Sequence, residues 1–229
     1  YVVKLGVMDD VDAIWTIHAL PDLPAGTIGV RQGAITSAVD IFKIIVKGKG
    51  GHSARPYTAV DAVYLASQVV NSLYGYAYRN FDPRIPLAFA IGSITGGGAP
   101  NVICDKVEMQ GTARMFDEEI RRNLPDVVNT ICKGIAQSFG GQCDIEWFYG
   151  PPSVVNDTEL AKITQSCAID LIGEENVINI SMPSMGSEDF SKYLWRVPGM
   201  LIRVGCGGEN SSYPLHTSLF DIDETIIAK

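Results

Sequence analysis

"AVDIFKIIVKGKGGHSARPYTAVDAVYLASQVVNSLYGYAY", residues 38–78, carries most of the argument about the fold. Its first part, 38–49, sets β-branched residues in loose alternation, the period of a strand. Glycines at 48, 50 and 51 interrupt that run, and His52 stands on the bend they make. From 58 to 78 apolar residues recur at helical spacing, with Thr58 placed as an N-cap and Asp61 three residues on in capping-box fashion. Beyond it, 85–97 reads as a strand ending in glycines and 104–117 as a second alternating strand. An amphipathic helix with an acidic start spans 117–141, closed by Gly140 and Gly141, with Pro125 in its early part or kinking it. A last strand covers 142–150. The order β-α-β-β-α-β is that of the split βαβ, ferredoxin-like pattern.

On either side the pattern changes. Residues 11–20, "VDAIWTIHAL", are largely apolar, as in a strand buried on both faces, and a turn rich in proline and glycine follows. Residues 1–10 read as the tail of a helix. After "PPSVV" (151–155) a helix is expected over 157–173, ended by Gly173. A short strand, a Gly/Ser loop and a helix start follow within 176–194. Residues 199–207, "GMLIRVGCG", read as a strand leaving into a glycine-rich loop, and a final helix begins at the end of the chain. The expected fold class is α/β. Residues 1–37 and 151–229 form two pieces of one domain, and 38–150 is inserted between them as a ferredoxin-like α+β domain.

Bulk properties narrow the function. The 229 residues suffice for one large domain or two small ones, and 46% are apolar, enough for a real core. A net charge of -8 leaves no electrostatic footprint for nucleic acid. No apolar run approaches the ~20 residues of a membrane span, and no signal-type segment appears. Five cysteines, at 104, 132, 143, 167 and 206, are odd in number and form no CxxC pair. A reduced, cytoplasmic protein is expected.

Three histidines are the chief candidates for chemistry. His18 ends an apolar strand, and ligand sites in open α/β sheets lie outside the carboxyl ends of strands. His216 sits in a loop after another strand of the same domain. Imidazole suits zinc, nickel or copper, yet a catalytic zinc needs three protein ligands and no HExxH or Cys–His cluster supplies the rest. His52 either packs near a helix start or is a donor aimed at an oxyanion. "GGGAPNVI", 96–103, lacks GxGxxG spacing and a Walker lysine, so it is not a phosphate loop; Asn101 within it can meet substrate through its amide. Arg114 either pairs with Asp117 or offers a fork to a carboxylate. Glu188, in "MGSEDFS" (185–191), either favours a helix N-terminus or contacts substrate.

Six stretches, taken together and in this order, resemble the aminoacylase/carboxypeptidase family of two-metal amidohydrolases. They are "GVMDDVDAIWTIHALPDLPAGTIGVRQG", "GKGGHSARP", "GGGAPNVI", "GTARMFD", "GSEDFS" and "LHTSLFDIDE". The N-acyl-amino-acid amidohydrolase branch, with hippurate and auxin-conjugate hydrolases, is the most similar. The resemblance implies a three-layer α/β catalytic domain, incomplete here, with the insert as lid and dimerisation domain of a homodimer. It implies two divalent metal ions, zinc first, with manganese, nickel or cobalt as alternatives. His18 and His216 are then metal ligands. His52 polarises the scissile carbonyl, typically in the partner subunit's site. Asn101 and Arg114 help hold the substrate. The family's cysteine-and-histidine metal motif and its paired glutamates, one of them the general base, are expected upstream of Tyr1. The 229 residues alone are therefore expected to be inactive. The substrate is an N-acyl amino acid, or alternatively a short peptide; a non-catalytic dimerisation or binding fragment is the remaining alternative.

Overall fold

A computed structural model describes residues 2–208, 211 and 213–227. The chain divides into two compact units, one of residues 1–37 and 151–229 and one of residues 38–150. In chain order the first unit opens with β1 (Ile14–Pro24), β2 (Ile28–Val30) and β3 (Gly33–Thr36). The second unit holds β4 (Ala38–Lys47), β5 (Gly51–His52), α1 (Ala62–Arg79), β6 (Leu87–Gly96) and β7 (Val102–Ile103). It continues with β8 (Lys106–Met115), α2 (Glu118–Ser138) and β9 (Gln142–Tyr149). The first unit then resumes with β10 (Val154–Asn156), α3 (Thr158–Ile172), β11 (Val177–Asn179) and β12 (Gly199–Gly207). Among the described residues no helix is long and apolar enough to cross a membrane.

In the second unit, four strands lie in the order β6-β8-β4-β9, every neighbouring pair antiparallel. That is the strand order of the split βαβ arrangement. Alternation along β4 puts Phe42, Ile44 and Val46 inside while Ile41 and Lys47 stay exposed. The same core takes Leu65 and Val69 of α1, Leu124 and Val128 of α2, and Met109 and Met115 of β8. Each such side chain contributes about 1.5–3 kcal/mol by leaving water. Phe42 stacks between Phe89 and Trp147, with ring centroids 4.8 and 5.5 Å away.

One member of this inward row is charged. Asp40 is fully buried. Arg121 of α2 donates to it through Nε, at 3.1 and 3.2 Å from the two carboxylate oxygens, and through Nη2 at 2.7 Å. Trp147 Nε1 and the Gly150 amide each donate to Asp40 at 3.2 Å, and Arg121 Nη2 also donates to the Gly150 carbonyl at 2.8 Å. Burial works against the charge on Arg121, but the hydrogen bonds and charge of Asp40, with Glu118, outweigh it and hold the guanidinium above its usual value. Asp40 lies near the unit's first residue and Gly150 is its last, so this network closes the base of the insert.

In the first unit the sheet order is β1-β12-β2-β11. β1 runs parallel to β12, β12 antiparallel to β2, and β2 parallel to β11. One face packs Val30, Met200 and Ile202 on α3 through Leu160 and Ala161. The other packs Leu201 with Ile35, Val154 and Phe190. Buried Asn156 stitches the layers: its amide donates to the Arg31 and Leu201 carbonyls at 2.9 and 3.1 Å and accepts from the Leu201 amide at 2.8 Å. β3 pairs antiparallel with β10, the strands on either side of the insertion.

Several local expectations are corrected. The strand expected at 11–20 is not buried on both faces: β1 ends its sheet, with Trp15 46% and Ile17 70% exposed. It also runs on through the expected turn to Pro24, because an irregularity after Leu20 lets the prolines continue beside β12. Asp61, not Thr58, caps α1, accepting from the Val63 and Tyr64 amides at 2.9 and 3.3 Å. Thr58 belongs instead to a 3-10 turn, Pro56–Thr58, where proline sets the backbone. The described residues of the helix tail at 1–10, of the helix start within 176–194 and of the final helix form 3-10 turns, Val2–Leu5, Asp189–Lys192 and Glu224–Ile226, with residues 228 and 229 outside the described residues. Pro125 lies inside α2.

Arg121→Ala strands the Asp40 charge in the core and should cost about 3–5 kcal/mol of unfolding free energy. Urea denaturation measures this, and the paired change Asp40→Leu with Arg121→Met should recover part of the loss. A paired loss equal to the sum of the losses of Asp40→Leu and Arg121→Met measured singly would mean that the ion pair carries no coupling.

Candidate active site

In the first unit, His18 sits on β1 two residues before the end of the seven-residue parallel ladder with β12. Its Nδ1 lies 2.7 Å from the Ala19 carbonyl oxygen. A carbonyl only accepts, so in the neutral ring Nδ1 carries the proton and Nε2 presents its lone pair. A backbone carbonyl holding the far nitrogen is the usual arrangement of a metal-binding imidazole.

Facing that lone pair is Glu188, whose Oε2 stands 3.9 Å from Nε2, beyond hydrogen-bond range. The loop that brings Glu188 there is pinned by buried Ser37. Its amide donates to the Ser184 and Gly186 carbonyls at 3.0 and 2.9 Å, and its hydroxyl to the Met185 carbonyl at 2.7 Å. Glu188 Oε1 accepts from the Asp189 amide at 3.1 Å. Glu188 thus caps a 3-10 turn and stands in front of the imidazole.

Arg203 is the functional candidate that the sequence reading passed over inside the strand at 199–207. It pairs in register with His18 across the β1–β12 ladder, so both side chains leave the same face. It is 8% exposed. Burial pushes its guanidinium below the usual value, and the charge of Glu188 opposes that shift. The only signal in the sequence was one charge within an otherwise apolar strand.

His216 occupies an exposed turn at φ 65°, the only described non-glycine residue with positive φ. Left-handed backbone at a bulky residue is uncommon and concentrates at functional sites. The turn is tied by Thr217 Oγ1 donating to the Pro214 carbonyl at 2.9 Å.

In the second unit, His52 and Val102 pair across the short β5–β7 ladder, and the Ser53 amide donates to the Asn101 carbonyl at 3.1 Å. His52 and Asn101 are thus neighbours, both exposed. The glycine-dense loop has a steric cause: a Cβ on Gly48 would collide with the Val60 carbonyl, and one on Gly51 would lie 2.9 Å from Ala59 Cβ. The Ala54 amide donates to His52 Nδ1 at 3.1 Å. An amide only donates, so here the neutral ring carries its proton on Nε2, as a hydrogen-bond donor facing outward.

Arg114 is half-buried on β8 and pairs with Val39. His52 and Asn101 flank the opposite end of that sheet, where Lys47 pairs with Lys106. Eight strand residues separate the two ends, roughly 25 Å. The structure brings His52 and Asn101 together and sets Arg114 apart from them.

The chain as a whole has relatives among known proteins. Residues 1–228 match the peptidase family M20/M25/M40. The chain belongs to that family. Among M20/M25/M40 relatives, N-acetylcysteine deacetylase of Bacillus subtilis is 35% identical over 97% of this chain and 57% of its own length. Thermostable carboxypeptidase 2 of Saccharolobus solfataricus is 33% identical over 98% of this chain and 57% of its own. The crystal structure of a dinuclear metal binding peptidase of the M20 family from Bacillus subtilis superposes with a TM-score of 0.81 at 31% identity. It covers 99% of this chain and 56% of that one. The M20/M25/M40 chain described here thus spans less than three-fifths of the length of these relatives.

Among the described residues no group of three or more His, Cys, Asp and Glu side chains is assembled for a metal. The donor chemistry at His18 nevertheless fits a divalent cation, through its outward lone pair and its backbone-held far nitrogen.

Replacing His216 with glycine removes the cost of its left-handed backbone and should stabilise the chain by about 0.5–1 kcal/mol. Thermal melting of His216→Gly beside His216→Ala checks this: glycine should raise the melting temperature and alanine should not.

Proposed function

We propose that the protein carrying this chain is a metal-dependent amidohydrolase cleaving the amide bond of N-acyl amino acids. The observation that carries this reading is the pair of opposite histidine tautomers. His18 offers a lone pair suited to a metal, while His52 offers an N–H suited to a carbonyl oxygen that gains negative charge. His18 and His216 would hold the metal, zinc first, with manganese, nickel or cobalt as alternatives. A two-metal centre in such an enzyme supplies Lewis acidity and a water of lowered pKa. Asn101 donates to and accepts from the substrate, and Arg114 offers its planar fork to the α-carboxylate. Glu188 orients the substrate beside His18. A cytoplasmic location is part of the same proposal, supported by five free cysteines.

The placement of Arg114 supports a homodimer working through the insert. One amino-acid substrate does not reach across roughly 25 Å of sheet. If His52 and Arg114 act on the same substrate, they come from two copies of the chain. A carboxypeptidase acting on short peptides is the second reading, favoured by the near-equal identity to the deacetylase and to the carboxypeptidase. We further infer that the 229 residues by themselves do not hydrolyse these substrates.

With the complete protein, N-acetyl and N-benzoyl amino acids should be hydrolysed faster than dipeptides, and EDTA should abolish the activity. A dipeptide preference would replace the first reading with the second. His18→Ala should weaken zinc affinity by about 10- to 100-fold. Freshly mixed His18→Ala and His52→Ala subunits, each inactive alone, should regain activity through one intact site per heterodimer. No recovery in verified heterodimers would overturn the shared-site arrangement.

A further inference from the structure

Among the described residues, the buried cation Arg203 has no counter-ion in contact: none of them hydrogen-bonds its guanidinium or forms an ion pair with it. Its nitrogens are nevertheless not sealed, since no buried side-chain nitrogen lacks a partner; the 8% of the residue that remains accessible includes them. Five N–H donors, fixed in a planar fork, are thus left without a partner among the described residues. A buried charge costs several kcal/mol unless something pairs with it. Glu188 does not serve: it stands farther than ion-pair distance, with one oxygen on the Asp189 amide and the other toward His18.

The side chain is held for this. Arg203 pairs in register with His18 on one side and Gly29 on the other. A Cβ on Gly29 would sit 2.8 Å from Leu23 Cδ1, 2.9 Å from Ile180 Cδ1 and 3.2 Å from Arg203 Cβ, so Arg203 leaves its strand beside a backbone position with no room for a side chain. Its head lies on the face that carries His18, near the carboxyl ends of the parallel strands, where ligands bind in open α/β sheets. A rigid, dry, forked cation at such a place suits a planar anion.

We propose that Arg203 is a carboxylate-binding residue of the first unit, reading a second carboxylate on the substrate in addition to the α-carboxylate. That group belongs either to a dicarboxylic acyl chain or to an acidic amino-acid side chain. The proposal rests on the amidohydrolase reading for the word substrate, but the anion site is testable without catalysis.

Calorimetric titration of succinate into the complete, EDTA-stripped protein reads the site directly. Arg203→Met should weaken succinate binding about 10- to 100-fold, and Arg203→Lys by less. In the metal-loaded enzyme, N-succinylalanine is compared with N-butyrylalanine, and N-acetylglutamate with N-acetylglutamine. Arg203→Met should lower kcat/KM for the acidic member of one pair by a similar factor and leave its neutral counterpart unchanged. The pair that responds identifies which carboxylate is read. Melting temperatures show that the variants are folded; if Arg203→Met is not, Arg203→Lys and Arg203→Gln carry the comparison. Unchanged succinate binding in folded variants overturns the proposal, as does an equal fall for acidic and neutral substrates. If succinate binding depends on Arg203 while His18→Ala leaves zinc affinity unchanged, the anion site stands and the metal reading fails.

Discussion

The ion pair between Asp40 and Arg121 is the constraint on which the insert depends. A carboxylate in the inward row of a central strand is tolerable only when every lone pair finds a donor. Arg121, the Trp147 indole and the Gly150 amide supply those donors. The partners come from α2, from β9 and from the last residue of the unit, so one charge fixes a helix, a strand and the chain's point of exit. A hydrophobic residue at position 40 would pack as well against Phe42 but would hold none of these in register. The guanidinium also lies 5.5 Å from the Tyr149 ring centroid, which adds a cation–π contact on its remaining side.

A second economy runs through the two histidines. Neither ring is tuned by an elaborate network. A neighbouring backbone group decides each: the Ala19 carbonyl for His18 and the Ala54 amide for His52. The first leaves a lone pair outward, the second a proton. One residue type thus takes two opposite chemical roles, because the strand at His18 and the bend at His52 offer opposite ends of the peptide dipole.

Much of this was legible in the residues. The order of strands and helices from 38 to 150 follows from period-two and period-3.6 patterning alone, and the caps of α2 and α3 lie where acidic and glycine signals put them. The errors have physical causes. The prolines at 21 and 24 read as a turn, because nothing local tells that they continue an irregular strand beside β12. The apolar run 11–20 suggested burial on both faces, whereas Trp15 and Ile17 are exposed where β1 ends the sheet. At the site, the histidines stood out by rarity and Glu188 by its neighbours. Arg203 did not, because only the register of β1 on β12 puts it beside His18. That Arg114 and the loop of His52 belong to opposite ends of a strand roughly 25 Å long was equally invisible, since each motif reads alike at either end of a sheet.

The pairing of β3 with β10 bears on how the chain reaches its fold. The two strands meet across 118 residues of sequence, joined by the Val154 amide and the Thr36 hydroxyl. Closing so long a loop from an open chain is entropically slow. With the Gly150 amide on Asp40, however, the two ends of that long segment are tied together at its base. The inserted segment thereby shortens, for its host, the span that β3 and β10 have to close.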